Sequence, residues 1–256
     1  MKGIFSSLRH QLIKSGKTRA YGWYAFGEIL LIVVGILIAL GIDNWNEERK
    51  ERRTEQYFLS GLKEEFTVNK IRLENLIAVV QDISDASEEI EAYLSGTVDT
   101  LSEKSLSRKL YRALAYDIIY NPNQSLLNEV TGYGKLNLIT SMPLRQVLMG
   151  WQPFIQQIRL QESGLRQNRN EILDLLSSEK GSIRTIFNHI SQDEKKPGSN
   201  SLASRESNKM VVHTPAFENK LLIYLLTANN TGSMHYKPLL TEINQILELI
   251  DQEIKE

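Results

Sequence analysis

Polar residues all but vanish between Tyr21 and Ile42. From Ile29 to Leu40 every residue is aliphatic except Gly35, and Glu28 is the single carboxylate of the stretch. The run closes on Ile42-Asp43-Asn44-Trp45, and a charge-dense segment, Glu47 to Glu55, follows at once. A hydrocarbon core of roughly 30 Å needs about 20 helical residues. Trp23 and Tyr24 precede Trp45 by about 22 residues, or about 33 Å along a helix, which is where two interfacial aromatic belts would sit. The pattern therefore predicts a transmembrane helix over 21–45 behind a basic leader over 1–20. A buried core helix would need neither the aromatic ends nor the abrupt charged flank. Ala39-Leu40-Gly41 offers small residues of the kind a signal peptidase cleaves after, but the long leader, Glu28 and the unbroken helical pattern weigh against cleavage.

Beyond the span the apolar spacing changes character. Leu59, Leu62, Phe66, Asn69, Leu73, Leu76, Val80, Ile83, Ser87, Ile90 and Leu94 alternate steps of three and four without a slip. This heptad seam carries polar residues at Asn69 and Ser87, and no proline or glycine interrupts Leu62 to Ser95. A long membrane-proximal helix over 46–95 is expected. Its seam is either a coiled-coil contact or, the favoured alternative, one face of an intramolecular bundle.

The remainder, 96–256, reads as further helices. Gly96 stops the long helix, and Ser102 caps a second one with Leu106, Leu110, Ala113 and Leu114 inward. Asn121-Pro122-Asn123 is a turn, and a short helix from Gln124 is stopped by Gly132 and Gly134. Ser141-Met142-Pro143 opens a long helix whose inner positions are Leu144, Leu148, Trp151, Ile155, Ile158, Glu162, Leu165, Arg169, Ile172 and Leu176. Glu162 and Arg169 form a possible core polar pair. They either line a polar pocket or mark where the bundle opens to water, and the second is favoured because long charged side chains usually reach solvent. Residues 191–209 are polar and carry Gly and Pro, which predicts a flexible loop. Thr214-Pro215 caps the last helical stretch. Its inner face is expected to run Phe217, Leu221, Tyr224, Ala228, Gly232, His235, Leu239, Ile243, Ile246, Ile250 and Ile254, as one helix bent near Pro238 or two helices stacked on one axis. With no strand-period segment of useful length, the fold class is all-α: a transmembrane helix continued by a long helix, then an antiparallel bundle.

Charge suggests a direction. Lys2, Arg9, Lys14, Lys17 and Arg19 precede the span with no acid among them, whereas Arg49, Lys50, Arg52 and Arg53 behind it alternate with glutamates. That bias places the N-terminus in the cytoplasm and the large C-terminal part outside. Ile4, Phe5, Leu8, Leu12 and Ile13 fit either a short amphipathic helix on the inner leaflet or a basic tail that only sets topology. Within the span, Glu28, Ile32, Gly35, Ala39 and Ile42 share one stripe. Gly35 and Ala39 let two helix backbones approach closely. Glu28 could pair with a partner helix, carry a proton, or reach back to the headgroups.

Composition narrows the chemistry. The chain has no cysteine and four histidines, His10, His189, His213 and His235, each on a different segment. That leaves no thiol nucleophile and no metal-ligand spacing, so neither a cofactor nor a metal is expected. Gly132-Tyr133-Gly134-Lys135 lacks the full spacing of a phosphate loop and is a helix stop. A formal net charge of −1 gives little support to nucleic-acid binding. No nucleophile, base and orienting group come together, so enzyme activity is not expected.

The segment from Tyr24 to Lys50, YAFGEILLIVVGILIALGIDNWNEERK, resembles the opening of a family of uncharacterised bacterial membrane proteins. In these a basic leader precedes a Gly-Glu-Ile-bearing span that closes on Asn-Trp-Asn-Glu. Asn123 to Trp151 is similar to that family's central block, although Gly41-Ile42-Asp43 departs from its usual Gln-Ile-Asn. The resemblance implies an uncleaved single-pass anchor and no agreed catalytic residues; together with the charge bias, the expected location is a bacterial inner membrane with the C-terminal domain periplasmic. The expected role is a membrane-anchored interaction or scaffold protein, assembling as a homo-oligomer or with another membrane protein at the lipid bilayer. The alternative is a helical ligand-sensing domain that acts through a separate signalling partner.

Overall fold

The computed structural model describes residues 18–98, 100–132, 134–194 and 207–254; the side chains of 18–21, Tyr24 and 192–194 lie outside that description. The expected leader therefore falls almost wholly outside it, as does the centre of the expected loop. Every described element is helical, with no strand among the described residues. The elements are α1 (Thr18–Leu94), α2 (Glu103–Leu114), α3 (Ser125–Gly132), a 3₁₀ turn (Lys135–Leu138), α4 (Met142–Leu176), α5 (Ile183–Glu194), α6 (Lys209–Val212), α7 (Pro215–Asn230), a π-helical segment (Thr231–Tyr236) and α8 (Lys237–Glu253). The chain divides into two units, Met1–Tyr57 and Phe58–Glu256.

In the first unit α1 carries the apolar stretch. Every position from 29 to 54 is exposed, on all sides of the helix, and Leu31, Leu37 and Ile38 are 69%, 62% and 58% exposed. Among the described residues α1 is the one helix long and apolar enough to cross a membrane, by length and composition. Trp23 and Trp45 are both exposed, and the Arg49 guanidinium stands 5.8 Å over the Trp45 ring.

The second unit is a helical bundle. The seam from Leu59 is one of its inner faces: Leu59, Leu62, Phe66, Leu73, Ile83 and Ile90 are fully buried, as are the polar seam residues Asn69 and Ser87. Ser87 can be buried because its hydroxyl donates to the Ile83 carbonyl at 2.8 Å, four residues back. The seam is thus used up inside the unit, as the intramolecular alternative expects. Gly96, at φ 76°, ends α1 in the left-handed conformation that glycine adopts without steric cost. The Ser102 hydroxyl accepts from Ser105 N at 3.1 Å and starts α2, and the Thr214 hydroxyl accepts from Phe217 N at 3.3 Å to start α7. α4 runs unbroken through Pro153 and packs against α7, the π segment and α8, while α2 packs against α5. Phe66 and Trp151 meet edge-to-face at 4.9 Å between centroids, joining α1 to α4 in the centre of the core.

Two expectations are corrected here. The last helical stretch neither breaks nor keeps a regular seam: Thr231 and Tyr236 are fully buried, and Gly232 and His235 are not. The buried positions step from Ala228 to Thr231 to Tyr236 to Leu239, and the five-residue step is the signature of the π turn. Pro238 explains its place, since a proline has no N–H for the carbonyl one turn back and its ring crowds that carbonyl. The span 191–209 is also not uniformly loop, because α5 extends to Glu194 and α6 begins at Lys209. Asn208 is fully buried, donating to the Ser182 carbonyl at 3.0 Å and accepting from Ser182 N at 2.8 Å. Asn208 N in turn donates to Glu103 at 3.0 Å, so this end of the segment is anchored to the start of α2.

Candidate functional site

A buried polar chain crosses the second unit. It starts on α1, where Glu65 and Asn69 lie one turn apart, 6% and 1% exposed. The two Glu65 carboxylate oxygens accept from Leu126 N at 2.9 Å and Leu127 N at 3.2 Å. These are orphan donors in the first turn of α3, and a carboxylate there satisfies both the hydrogen bonds and the helix dipole. Gly61, one turn earlier, lets α3 come close, since a Cβ in its place would stand 2.4 Å from Leu126 Cδ2. Asn69 binds the Asn121-Pro122-Asn123 turn reciprocally: its amide donates to the Asn123 carbonyl and its oxygen accepts from Asn123 N, both at 2.7 Å. The seam asparagine is therefore a clamp on the connection between α2 and α3.

That connection carries Tyr120, 2% exposed, whose hydroxyl donates to the Asn69 carbonyl at 3.2 Å and whose N–H donates to Glu162 Oε1 at 2.7 Å. The same oxygen accepts from the Tyr236 hydroxyl at 2.6 Å. Glu162 is 2% exposed, which corrects the expectation that it opens to water. Three parts of the chain, α4, the 115–124 connection and the π segment, converge on one carboxylate. Gln161, its neighbour on α4, donates to Thr231 Oγ1 at 3.1 Å at the other end of the π segment.

The electrostatics follow from burial. Loss of water pushes the Glu162 carboxyl above the usual carboxylate range; the hydrogen bonds from Tyr236 and Tyr120 N–H pull against this, as do the charges of Arg159 and Arg166. Burial also pushes the Tyr236 hydroxyl far up, reinforced by the neighbouring Glu162, and it raises Tyr120 as well. Both phenols therefore stay protonated as donors. The arrangement can hold a proton on a carboxyl and fix the register of three segments. It places no nucleophile beside the carboxyl.

Arg169 stands apart from this chain. It is half-buried and donates to the Leu114 carbonyl at 2.7 Å, closing the end of α2, near Tyr224, whose hydroxyl donates to the Ala113 carbonyl at 2.8 Å. Glu162 and Arg169 thus share a helix face but serve different partners. In the first unit Glu28 is half-buried and Ile32 and Ile42 on its stripe are exposed. The space beside Gly35 is open to 4 Å, with Ala39 one turn on. Among the described residues no group of three or more His, Asp or Glu is placed to hold a metal ion.

Sequence alone singled out Asn69 and Glu162 as polar residues on apolar faces. It missed Tyr236, which a regular seam points away from the core, and it missed Tyr120, which sits in a connection without periodicity. Pro238 was the one signal that the seam would slip.

Residues 28–152 match the model of a family of unknown function (DUF6090). The match takes in Glu65, Asn69 and Tyr120 but stops ten residues short of Glu162. No curated protein and no solved structure matches the chain.

Proposed function

We propose that this chain is a single-pass, membrane-anchored helical interaction or scaffold protein of a bacterial inner membrane, without enzymatic activity. The anchor is the 21–45 segment, with the N-terminus cytoplasmic and Phe58–Glu256 on the periplasmic side. The observation that carries this is the apolar surface of α1: aliphatic side chains from Ile29 to Leu40 are exposed all round the helix, which water would not tolerate and lipid would. Trp23, Tyr24 and Trp45 serve as interfacial anchors, and the Glu28, Gly35 and Ala39 stripe is the face that would receive a second membrane helix. Glu65, Asn69, Tyr120, Glu162 and Tyr236 are tied to one another and to backbone groups by hydrogen bonds, a structural pattern more than a reactive one. Alkaline carbonate extraction of membranes tests the anchor, and recovery of the intact chain in the soluble fraction overturns it. Cross-linking in native membranes tests assembly; monomers without any partner argue against the scaffold.

The alternative, a ligand-sensing domain, draws on an apolar groove of about 180 Å³ between α2, α4 and α5, lined by Leu110, Leu114, Leu173, Ile183, Ile186 and Phe187. Small apolar ligands occupy such sites between helices. A thermal-shift screen of the detergent-solubilised chain distinguishes the two, because a ligand bound only to the native state raises its stability. Reproducible stabilisation by a small apolar compound would favour sensing.

A further inference from the structure

The π segment Thr231–Tyr236 departs from the regular helix that the flanking apolar pattern specifies. In a regular α register, counting from Phe217, Leu221, Tyr224 and Ala228, the next inner positions are Thr231 or Gly232 and then His235. In the structure they are Thr231 and Tyr236. One extra residue in the turn separates the two registers, and a π turn is the form that such an extra residue takes inside an α-helix. Two side-chain bonds from adjacent residues of α4 hold it: Gln161 to Thr231 Oγ1 at 3.1 Å, and Tyr236 hydroxyl to Glu162 Oε1 at 2.6 Å. Glu162 is thus both the latch on the segment and an ionisable group sealed in the core.

We propose that residues 231–236 are a pH-controlled register switch, latched in the π form by neutral Glu162 and released towards the α form when Glu162 is ionised. The physical basis is the cost of an ion in the core. Neutral Glu162 keeps both of its donors, Tyr236 hydroxyl and Tyr120 N–H, in a dry site. Ionised Glu162 needs more solvation than two hydrogen bonds supply at that depth. Slipping the segment by one residue turns Tyr236 away by about 100° and carries the half-buried His235 toward its place, which opens the carboxylate to water or to an imidazole. The groups that bear on Glu162 from each packed element are Tyr236 on the π segment, Tyr120 on the connection, and Arg159 and Arg166 on its own helix. Arg166 is itself engaged by Asp117 at 2.9 Å, and Arg72 of α1 bears on Tyr120. The folded-state carboxyl titrates above its ordinary range, so the latched form holds at low pH and yields as pH rises through that folded value.

The experiment is hydrogen exchange on the full chain in detergent, read as protection factors for amides 231–237, 239 and 240 from pH 5 to 8. In the wild type these should fall as pH rises, by about tenfold for each unit separating the latched and released carboxyl values, while amides in the centre of α4 stay protected. Glu162→Gln, a neutral isostere that can still accept from both donors, should abolish the fall. Tyr236→Phe removes a bond that favours the ionised form, so the midpoint should move to higher pH. Flat protection in the wild type, an unchanged fall in Glu162→Gln, or an unmoved midpoint in Tyr236→Phe would each overturn the switch. The readout depends only on the second unit and is indifferent to whether the first unit is an anchor.

Discussion

Two regions of α1 are rich in aliphatic residues, yet they treat them in opposite ways. Between Ile29 and Leu40 apolar side chains occupy the whole circumference and all are exposed. Between Leu59 and Leu94 the apolar seam recurs at every third or fourth position and is nearly all buried, while every charged residue of that stretch lies between the seam positions. The same residue types thus suit two different surroundings, the protein core in the second region and, as proposed, lipid in the first. Periodicity is required only where one side of a helix faces water; where lipid is the expected surroundings on all sides, it can disappear. The contrast extends to polar groups. Glu28 lies at the edge of its aliphatic run, whereas Glu65, Asn69 and Glu162 are buried among aliphatics and bonded to named partners.

The strongest way to break this comparison is to truncate one large side chain in each region. Phe66→Ala should destabilise the second unit by about 3–5 kcal/mol through the cavity left against Trp151. Leu37→Ala should leave its urea midpoint unchanged. Equal losses for both would mean that the first region is also packed against protein. A somewhat smaller effect, in the opposite region, is expected from Leu37→Arg: about 2.5–3.5 kcal/mol against membrane insertion, seen as loss of carbonate-resistant chain. The same change at Tyr57, which is exposed at the end of the first unit, should leave fractionation unaltered.

Smaller effects sharpen the polar half of the contrast. Because the folded Glu162 carboxyl titrates above its ordinary value, the native state binds the proton more tightly than the unfolded chain. Its contribution to stability is therefore full below the ordinary carboxylate range and is lost as pH rises through the folded value. Urea midpoints of wild type and Glu162→Gln should diverge across that window, with the glutamine variant gaining as pH rises. Convergence would show that the carboxyl is not buried in solution. The smallest effect should come from Glu65→Gln, which keeps one acceptor at the start of α3 but removes the charge that faces the helix dipole. A loss of about 0.3–1 kcal/mol is expected, read as a lowered urea midpoint of the second unit.

Two residues of the candidate site were legible before the fold was known. Asn69 was recognisable as a polar residue on an apolar seam, and Glu162 as a charge at an inner position of α4. Their partners were not. Asn69 is completed by backbone groups 54 residues away, and Glu162 by an N–H 42 residues and a phenol 74 residues away. Hydrogen-bond partners at such separations leave no local spacing to read. The expectation that Glu162 reaches water failed for the same reason, since the groups that make its burial tolerable belong to other segments.

The sequence by itself determined the helical class, the long apolar surface of the first unit, the caps at Ser102 and Thr214, the stop at Gly96 and the inner face from Leu59 to Leu94. Each follows from interactions within a few residues along the chain, or from the period that one face of a helix must keep. Pro238 marks where the last helical stretch departs from a regular helix, but tertiary structure decided that the π turn would bring Tyr236, not His235, toward the core. The difference between those registers is a single residue of rotation. Local preference favours the regular helix, and only bonds reaching from Gln161 and Glu162 on a distant helix, together with Pro238, offset it.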